Sequence, residues 1–136
     1  MDDLLKTLHI SASGMRAQTT RMRVSSENIA NSDSLPRFKG DDPYRRKTIT
    51  FKNVMDRELG VDRVKVDKIG VQSGEFGQKF IPGHPAADED GYVKVPNVNS
   101  LIEMNDIREA QRSYEANLNV INSSRSMLRK TIDILR

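Results

Sequence analysis

Few residues of this chain have the types and spacing that catalysis or metal binding requires. Its two histidines, His9 and His84, lie far apart on segments of different character, and no spacing of His, Asp and Glu matches a zinc site. We interpret both histidines as surface or packing residues. The acidic run Asp88–Asp90 before Gly91 partly matches a calcium loop, but the further acidic positions and the closing Glu are missing. An exposed turn before a short strand is the better interpretation.

Nucleophilic and phosphate-binding motifs are also missing. No Gly-x-Ser-x-Gly elbow and no Gly-x-x-x-x-Gly-Lys loop occurs, and the chain has no cysteine for a disulfide or a thiolate metal site. The paired carboxylates of Asp41 and Asp42 lie in a turn-rich stretch, where solvated acids are usual. The sequence therefore predicts no enzyme, no cofactor and no metal.

The composition limits the core and the partners. Hydrophobic residues make up 36%, charged residues 30% and aromatic residues 5% of the chain, so burial would have to be completed by neighbouring molecules. The net charge is +3 and only Arg45-Arg46-Lys47 forms a basic run, which argues against nucleic-acid binding. No stretch could span a bilayer, and the first residues build no apolar core of a secretory signal. Composition alone would favour the cytoplasm.

Two long helices must dominate the structure, because apolar positions recur in steps of three and four at both ends of the chain. Such a seven-residue repeat gives one helix face a narrow apolar seam, which pairs with another helix. The N-terminal seam comprises Leu5, Leu8, Ala12, Met15, Thr19, Met22, Ser26 and Ile29. The C-terminal seam comprises Met104, Ile107, Gln111, Tyr114, Leu118, Ile121, Arg125, Leu128, Ile132 and Leu135. The polar members either fix the register or are simply exposed.

These patterns predict a mainly α fold in three parts: an N-terminal helix in residues 1–33, a β-rich or extended insert in 34–97 and a C-terminal helix in 98–136. Asn31 to Ser34 and Pro36 should end the first helix. Ser100 and Glu103 are predicted to form a capping box at the start of the second helix. Short strands are expected at Lys47–Phe51, Val64–Asp67, Ile69–Val71 and Phe76–Ile81.

Gly14 lies inside the first helix, where glycine costs about 1 kcal/mol relative to alanine. It is either a tolerated defect or a point of close helix approach. Ile10, Ala17 and Val24 lie opposite the seam, so the first helix has apolar residues on two faces and should have neighbours on two sides.

Three motifs in order carry a resemblance to a known family. Residues 11–18 (SASGMRAQ) and Ser26-Glu27-Asn28-Ile29-Ala30-Asn31 resemble the N-terminal signature of the axial proteins of the bacterial flagellum, the rod, hook and hook-associated proteins. Residues 111–117, with Gln111, Arg112, Tyr114 and Asn117, are similar to the C-terminal helix motif of that family. Residues 83–93 and 96–98 resemble a segment of its proximal-rod members. The resemblance covers nearly the whole chain.

The resemblance implies a structural subunit of the proximal rod, with its terminal helices paired as a coiled coil and its insert facing outward. Such a subunit would assemble helically and transmit torque across the periplasm. The implied partners are copies of itself, other proximal and distal rod proteins, proteins at the junction of rod and membrane ring, and the flagellar type III export apparatus. Nucleic acid and direct membrane insertion are not implied, and export would need no cleaved signal.

The assembly interface is predicted at the apolar seam residues. These are Leu5, Leu8, Ala12, Met15, Met22, Ile29, Met104, Ile107, Tyr114, Leu118, Ile121, Leu128, Ile132 and Leu135. The alternative functions are a cytoplasmic coiled-coil adaptor or export chaperone and a basic DNA-associated protein.

Overall fold

A computed structural model describes all 136 residues of the chain. Helix α1 spans Asp2–Ala30 and helix α2 spans Ser100–Ile134, and the two helices pack against each other over much of their length. Contacts from Gly14 to Asn117 and from Asn28 to Glu103 show that they run antiparallel. The predicted fold, two long terminal helices pairing around a small β-rich insert, is confirmed.

The ends of the helices follow local chemistry. Asp2 and Asp3 lie in the first turn of α1, where carboxylates face free backbone N–H groups, and Asp2 also pairs with Lys6 at 2.7 Å. Helix α1 ends at Ala30, where the sequence predicts. The Asn31 side chain caps this end by donating to the carbonyl of Glu27 at 2.8 Å.

The predicted capping box at the start of α2 is wrong. The cap is Asn99, whose side-chain oxygen accepts from the backbone N–H groups of Leu101 and Ile102 at 3.0 and 3.5 Å. Glu103 does not reach back to the helix start, because Arg46 and Asn28 of other elements bind its carboxylate. A charged partner gives a stronger hydrogen bond than a backbone amide, so the tertiary contact prevails.

The insert forms two antiparallel hairpins. In the first, β1 (Lys47–Asp56) pairs with β2 (Val61–Val71), and in the second, β3 (Gly77–Phe80) pairs with β4 (Tyr92–Val95). The two strands predicted within 64–71 are one continuous strand, and β1 extends beyond its predicted end. β4 follows the turn at Asp88–Gly91, as expected, and the Asp88 carboxylate accepts from the N–H groups of Asp90 and Tyr92.

The core is small and lies along the helix pair. Only 15 of 136 residues are buried, and Ala17, Val24 and Ala110 are the apolar ones between the elements of the helical part. A Cβ atom at Gly14 would lie 2.9 Å from the amide nitrogen of Asn117, so Gly14 marks a close approach of the helices rather than a tolerated defect. On the face of α1 opposite the seam, Ala17 and Val24 are covered within the chain, whereas Ile10 is 40% exposed.

Candidate functional site

A buried polar junction joins the end of α1, the start of β1 and the start of α2. At its centre Asn28 is fully buried and all its hydrogen-bonding groups are used. Its amide nitrogen donates to the carbonyl of Lys47 at 2.9 Å and to the carboxylate of Glu103 at 3.2 Å. Its oxygen accepts from the N–H of Lys47 at 2.9 Å and from the hydroxyl of Tyr44 at 2.8 Å. One side chain therefore fixes three segments of the chain together.

The charge of Glu103 is compensated inside this junction. Its side chain is fully buried, and the guanidinium group of Arg46 binds its carboxylate. Arg46 also lies 3.6 Å from Asp106 on the next turn of α2, and Arg21 of α1 pairs with Asp106 at 3.1 Å. An unpaired buried carboxylate would cost several kcal/mol, so the arginine is required wherever Glu103 is buried.

Glu27 extends the junction toward the surface. Glu27 accepts from Lys47 at 2.9 Å and from Arg23 at 2.8 Å, and these bonds hold the pKa of its carboxyl below the usual range. Burial raises the pKa of the neighbouring Tyr44, which stays neutral as it donates to Asn28. The remaining members of this motif are less involved: Ser26 and Ala30 are exposed and Ile29 is half-buried.

Sequence reasoning missed the roles of Tyr44, Arg46 and Glu103 in this junction. The Arg45-Arg46-Lys47 run was visible only as a surface charge, and Glu103 only as a helix cap. Arg45 has a separate role: its guanidinium group stacks 4.2 Å from the ring centre of Phe76 and donates to the carbonyls of Gln72 and Gly74. It thereby holds the segment between the two hairpins.

The C-terminal motif contributes mainly at one point. Asn117 is half-buried, donates to the carbonyl of Ser113 at 2.9 Å and faces Gly14 across the helix pair. Tyr114 is half-buried, whereas Gln111 and Arg112 are exposed.

The apolar seams are not fully buried anywhere in the chain. The half-buried members are Leu8, Ala12, Met15, Met22, Ile29, Ile107, Tyr114, Ile121 and Leu128. The exposed members are Leu5, Met104, Leu118, Ile132 and Leu135. Ala12 and Met15 of one seam and Tyr114 and Ile121 of the other line a shallow groove of about 580 Å³ between the helices. The structure brings the middle of the two seams together there and leaves the groove open.

The side chains that could take part in catalysis or metal binding do not converge on one site. No group of three or more His, Asp or Glu side chains is placed as metal ligands would be. His84 accepts from the N–H of Ala86 through Nδ1 at 3.1 Å, which fixes the turn before β4. What the geometry supports is a stiff junction beside two open apolar seams.

Comparison with known proteins decides the family. Residues 89–134 match the family described as "Flagellar basal body rod FlgEFG protein C-terminal". The flagellar basal-body rod protein FlgC of Agrobacterium fabrum is 54% identical over 100% of this chain and 98% of its own length. FlgC of Salmonella typhimurium is 38% identical over 96% of this chain and 97% of its own, and FlgC of Bacillus subtilis is 36% identical over 94% and 95%.

The chain belongs to the FlgC family of flagellar basal-body rod proteins.

Membership of the FlgC family confirms several predictions at once. The chain is a structural rod protein of the flagellar basal body and not an enzyme, and the basal body is its location. The adaptor, chaperone and DNA-binding alternatives have no support in these matches. Neither helix combines the length and apolar character needed to cross a membrane. As a rod component of the FlgC family, the chain assembles with other components of the rod.

Proposed function

We propose that the chain is a subunit of the proximal rod that assembles helically through the seam residues of α1 and α2, and that the assembled rod carries torque across the periplasm. The observation that carries this proposal is the incomplete burial of the seams. Every apolar seam residue keeps some exposure, and Leu118, on the middle of α2, is 39% exposed. Exposed apolar side chains in a line along a stiff helix pair are stabilised when neighbouring helices cover them.

The polar junction supports the same proposal from the mechanical side. A subunit that transmits torque has to pass force between its helices and its insert without deforming. Asn28 bonds both the insert, at Lys47 and Tyr44, and the second helix, at Glu103. The family motif around Glu27 and Asn28 would then serve to make the subunit stiff, while the seams serve assembly.

The finer partners follow from the proximal-rod assignment. They are copies of this chain, the other proximal and distal rod proteins, and proteins at the junction of the rod with the membrane ring. We also propose that the chain leaves the cytoplasm through the flagellar type III export channel without a cleaved signal peptide. Only 15 residues are buried in the chain on its own, so little burial would be lost on unfolding for passage through a narrow channel.

The test is Leu118→Asp, which places a carboxylate on the exposed part of the seam. If a neighbour covers this position in the rod, burying the unpaired charge costs several kcal/mol in every subunit. We expect the chain to be made at a normal level, to be missing from purified hook–basal bodies, and the cells not to swim.

Asn119→Asp is the matched control, because it adds the same charge at the next residue, which is exposed and off the seam. It should leave rod assembly and swimming unchanged. Normal swimming of the Leu118→Asp strain would refute the proposed interface. Asp88→Ala, in the turn of the insert, should have a mild effect.

A further inference from the structure

The outer edge of β1 is an unpaired strand edge whose orientation is fixed by three hydrogen bonds at two separate places. The N–H of Val64 in β2 donates to the hydroxyl of Ser13 at 3.2 Å, so the backbone groups of Val64 point away from β1. Its partner in the antiparallel register is Asn53, whose N–H and C=O must then point away from β2. At the other end of β1, both backbone groups of Lys47 bond the side chain of Asn28, which also lies outside the ladder.

The four residues that share this outward phase have free backbone groups. The register irregularity near Thr50 adds the extra residue to β2, so β1 keeps its alternation throughout. The outward N–H and C=O groups have no hydrogen-bond partner outside the ladder. They belong to Ile49, Phe51, Asn53 and Met55. The edge carries no proline, and an unpaired strand edge is a template for pairing with another chain.

The two faces of this hairpin define what could pair with the edge. The face that carries Phe51 and Met55 is mainly apolar, with Asn53 between them, and the side chains of Phe51 and Met55 are 37% and 57% exposed. On the other face Lys52 lies directly opposite Lys65, a like-charge pair that destabilises a sheet unless anions are close. Asp67 binds Lys52 at 2.9 Å, whereas Lys65 has no acidic partner. A complementary strand would alternate apolar and acidic residues.

Space for such a strand exists beside the edge. A crevice of about 450 Å³ lies between β1 and the helix pair, and it is lined by Ile49 and Phe51 of the strand and by Arg21 and Ser25 of α1. A strand added to β1 would enter this crevice beside Ile49 and Phe51, satisfy the four free backbone positions and extend the sheet in its own plane.

We propose that the β1 edge from Ile49 to Met55 accepts an extended segment of a neighbouring protein as a third strand, and that this segment alternates apolar and acidic residues. Pairing with the same edge of a second copy is disfavoured, because a two-fold arrangement over these residues is centred on Lys52 and sets two lysines against each other. The free edge belongs to the folded chain itself. Only the location of the donor in an adjacent rod subunit rests on the proposed function.

The test uses the full chain labelled with ¹⁵N and a synthetic peptide, Thr-Val-Glu-Val-Glu-Val-Thr, with hydrogen exchange followed by NMR. At saturating peptide, exchange at the amides of Ile49, Phe51, Asn53 and Met55 should slow by about tenfold or more. Asn53→Pro removes one outward N–H without touching the ladder, since proline is tolerated where the N–H faces away from the sheet. The Asn53→Pro variant should no longer bind the peptide, while the Asn53→Thr variant should bind it like the original chain.

Three results would overturn the proposal. The first is no protection with the glutamate peptide, and the second is equal protection with a peptide carrying lysine in place of glutamate. The third is protection that rises with chain concentration when no peptide is present, which would make a second copy the occupant. Leu118→Asp should bind the peptide normally, so a failure of this edge and a failure of the proposed seam interface are distinguishable.

Discussion

Replacing Asn28 by alanine should be the most damaging single change in the polar junction. The substitution removes four hydrogen bonds, to both backbone groups of Lys47, to Tyr44 and to Glu103. At about 0.5 to 1.5 kcal/mol for each bond, the expected loss is roughly 2 to 6 kcal/mol in the free energy of unfolding. The upper part of that range applies because Glu103, one of the partners, is fully buried and charged. Stabilities of single domains are about 5 to 15 kcal/mol, so the loss should be a large fraction of the whole.

Urea unfolding of the purified chain, followed by circular dichroism at the helix band, measures this change. Asn31→Ala is the matched control, because Asn31 belongs to the same motif but bonds only local groups, the carbonyl of Glu27 and the hydroxyl of Ser34. It should cost about 1 kcal/mol, the usual net contribution of a local hydrogen bond. If Asn28→Ala is no more destabilising than Asn31→Ala, the junction does not hold the three segments together.

Three further predictions concern the packing and the charges. Gly14→Ala combined with Asn117→Ala should raise the melting temperature, because the helix gains about 1 kcal/mol of propensity once the clashing amide is removed. Gly14→Leu alone should lower the melting temperature. An equal effect of the two changes would exclude a close helix approach. Glu103→Gln should cost roughly 1.5 to 3 kcal/mol in urea unfolding, because the charged hydrogen bond to Arg46 is lost while Arg46 keeps Asp106 nearby as a counter-charge. An unchanged midpoint would contradict the pairing. The pKa of Glu27 is lowered in the folded chain, so the stability that its carboxylate contributes is present above its unfolded pKa and is lost as the pH falls through its folded pKa. Glu27→Gln should therefore flatten the fall of the melting temperature in acid. An unaltered pH profile would contradict a stabilising role of the Glu27 carboxylate.

The helices could be predicted from the sequence because their signals are local. Apolar spacing, the carboxylates of Asp2 and Asp3 and the turn residues after Ala30 all act within a few residues of the position they determine. The hairpin strands could be located only roughly, since the length of β2 depends on its pairing with β1 and not on its own composition.

The polar junction could not be predicted, because its contacts join distant positions. Asn28 and Glu103 are 75 residues apart, and Arg46 and Glu103 are 57 apart. Nothing in the sequence near Glu103 distinguishes a helix cap from a buried ion pair. The sequence also did not show which face of α1 packs within the chain, since one face carries Ala17 and Val24 and the other carries the seam. Ala17 and Val24 are the buried residues, because their smaller side chains allow a closer approach.

The most direct test of the seam interface compares the reactivity of one position before and after assembly. The chain has no cysteine, so Leu118→Cys introduces a single thiol on the exposed seam and Glu89→Cys a single thiol in the turn of the insert, where the side chain is 94% exposed. Both are treated with a maleimide reagent, once as the purified chain and once in intact hook–basal bodies. If the seams form the interface, the thiol at position 118 reacts in the purified chain and is protected in the basal body, while the one at position 89 reacts in both. Equal reactivity of position 118 in the two states would contradict assembly through the seams.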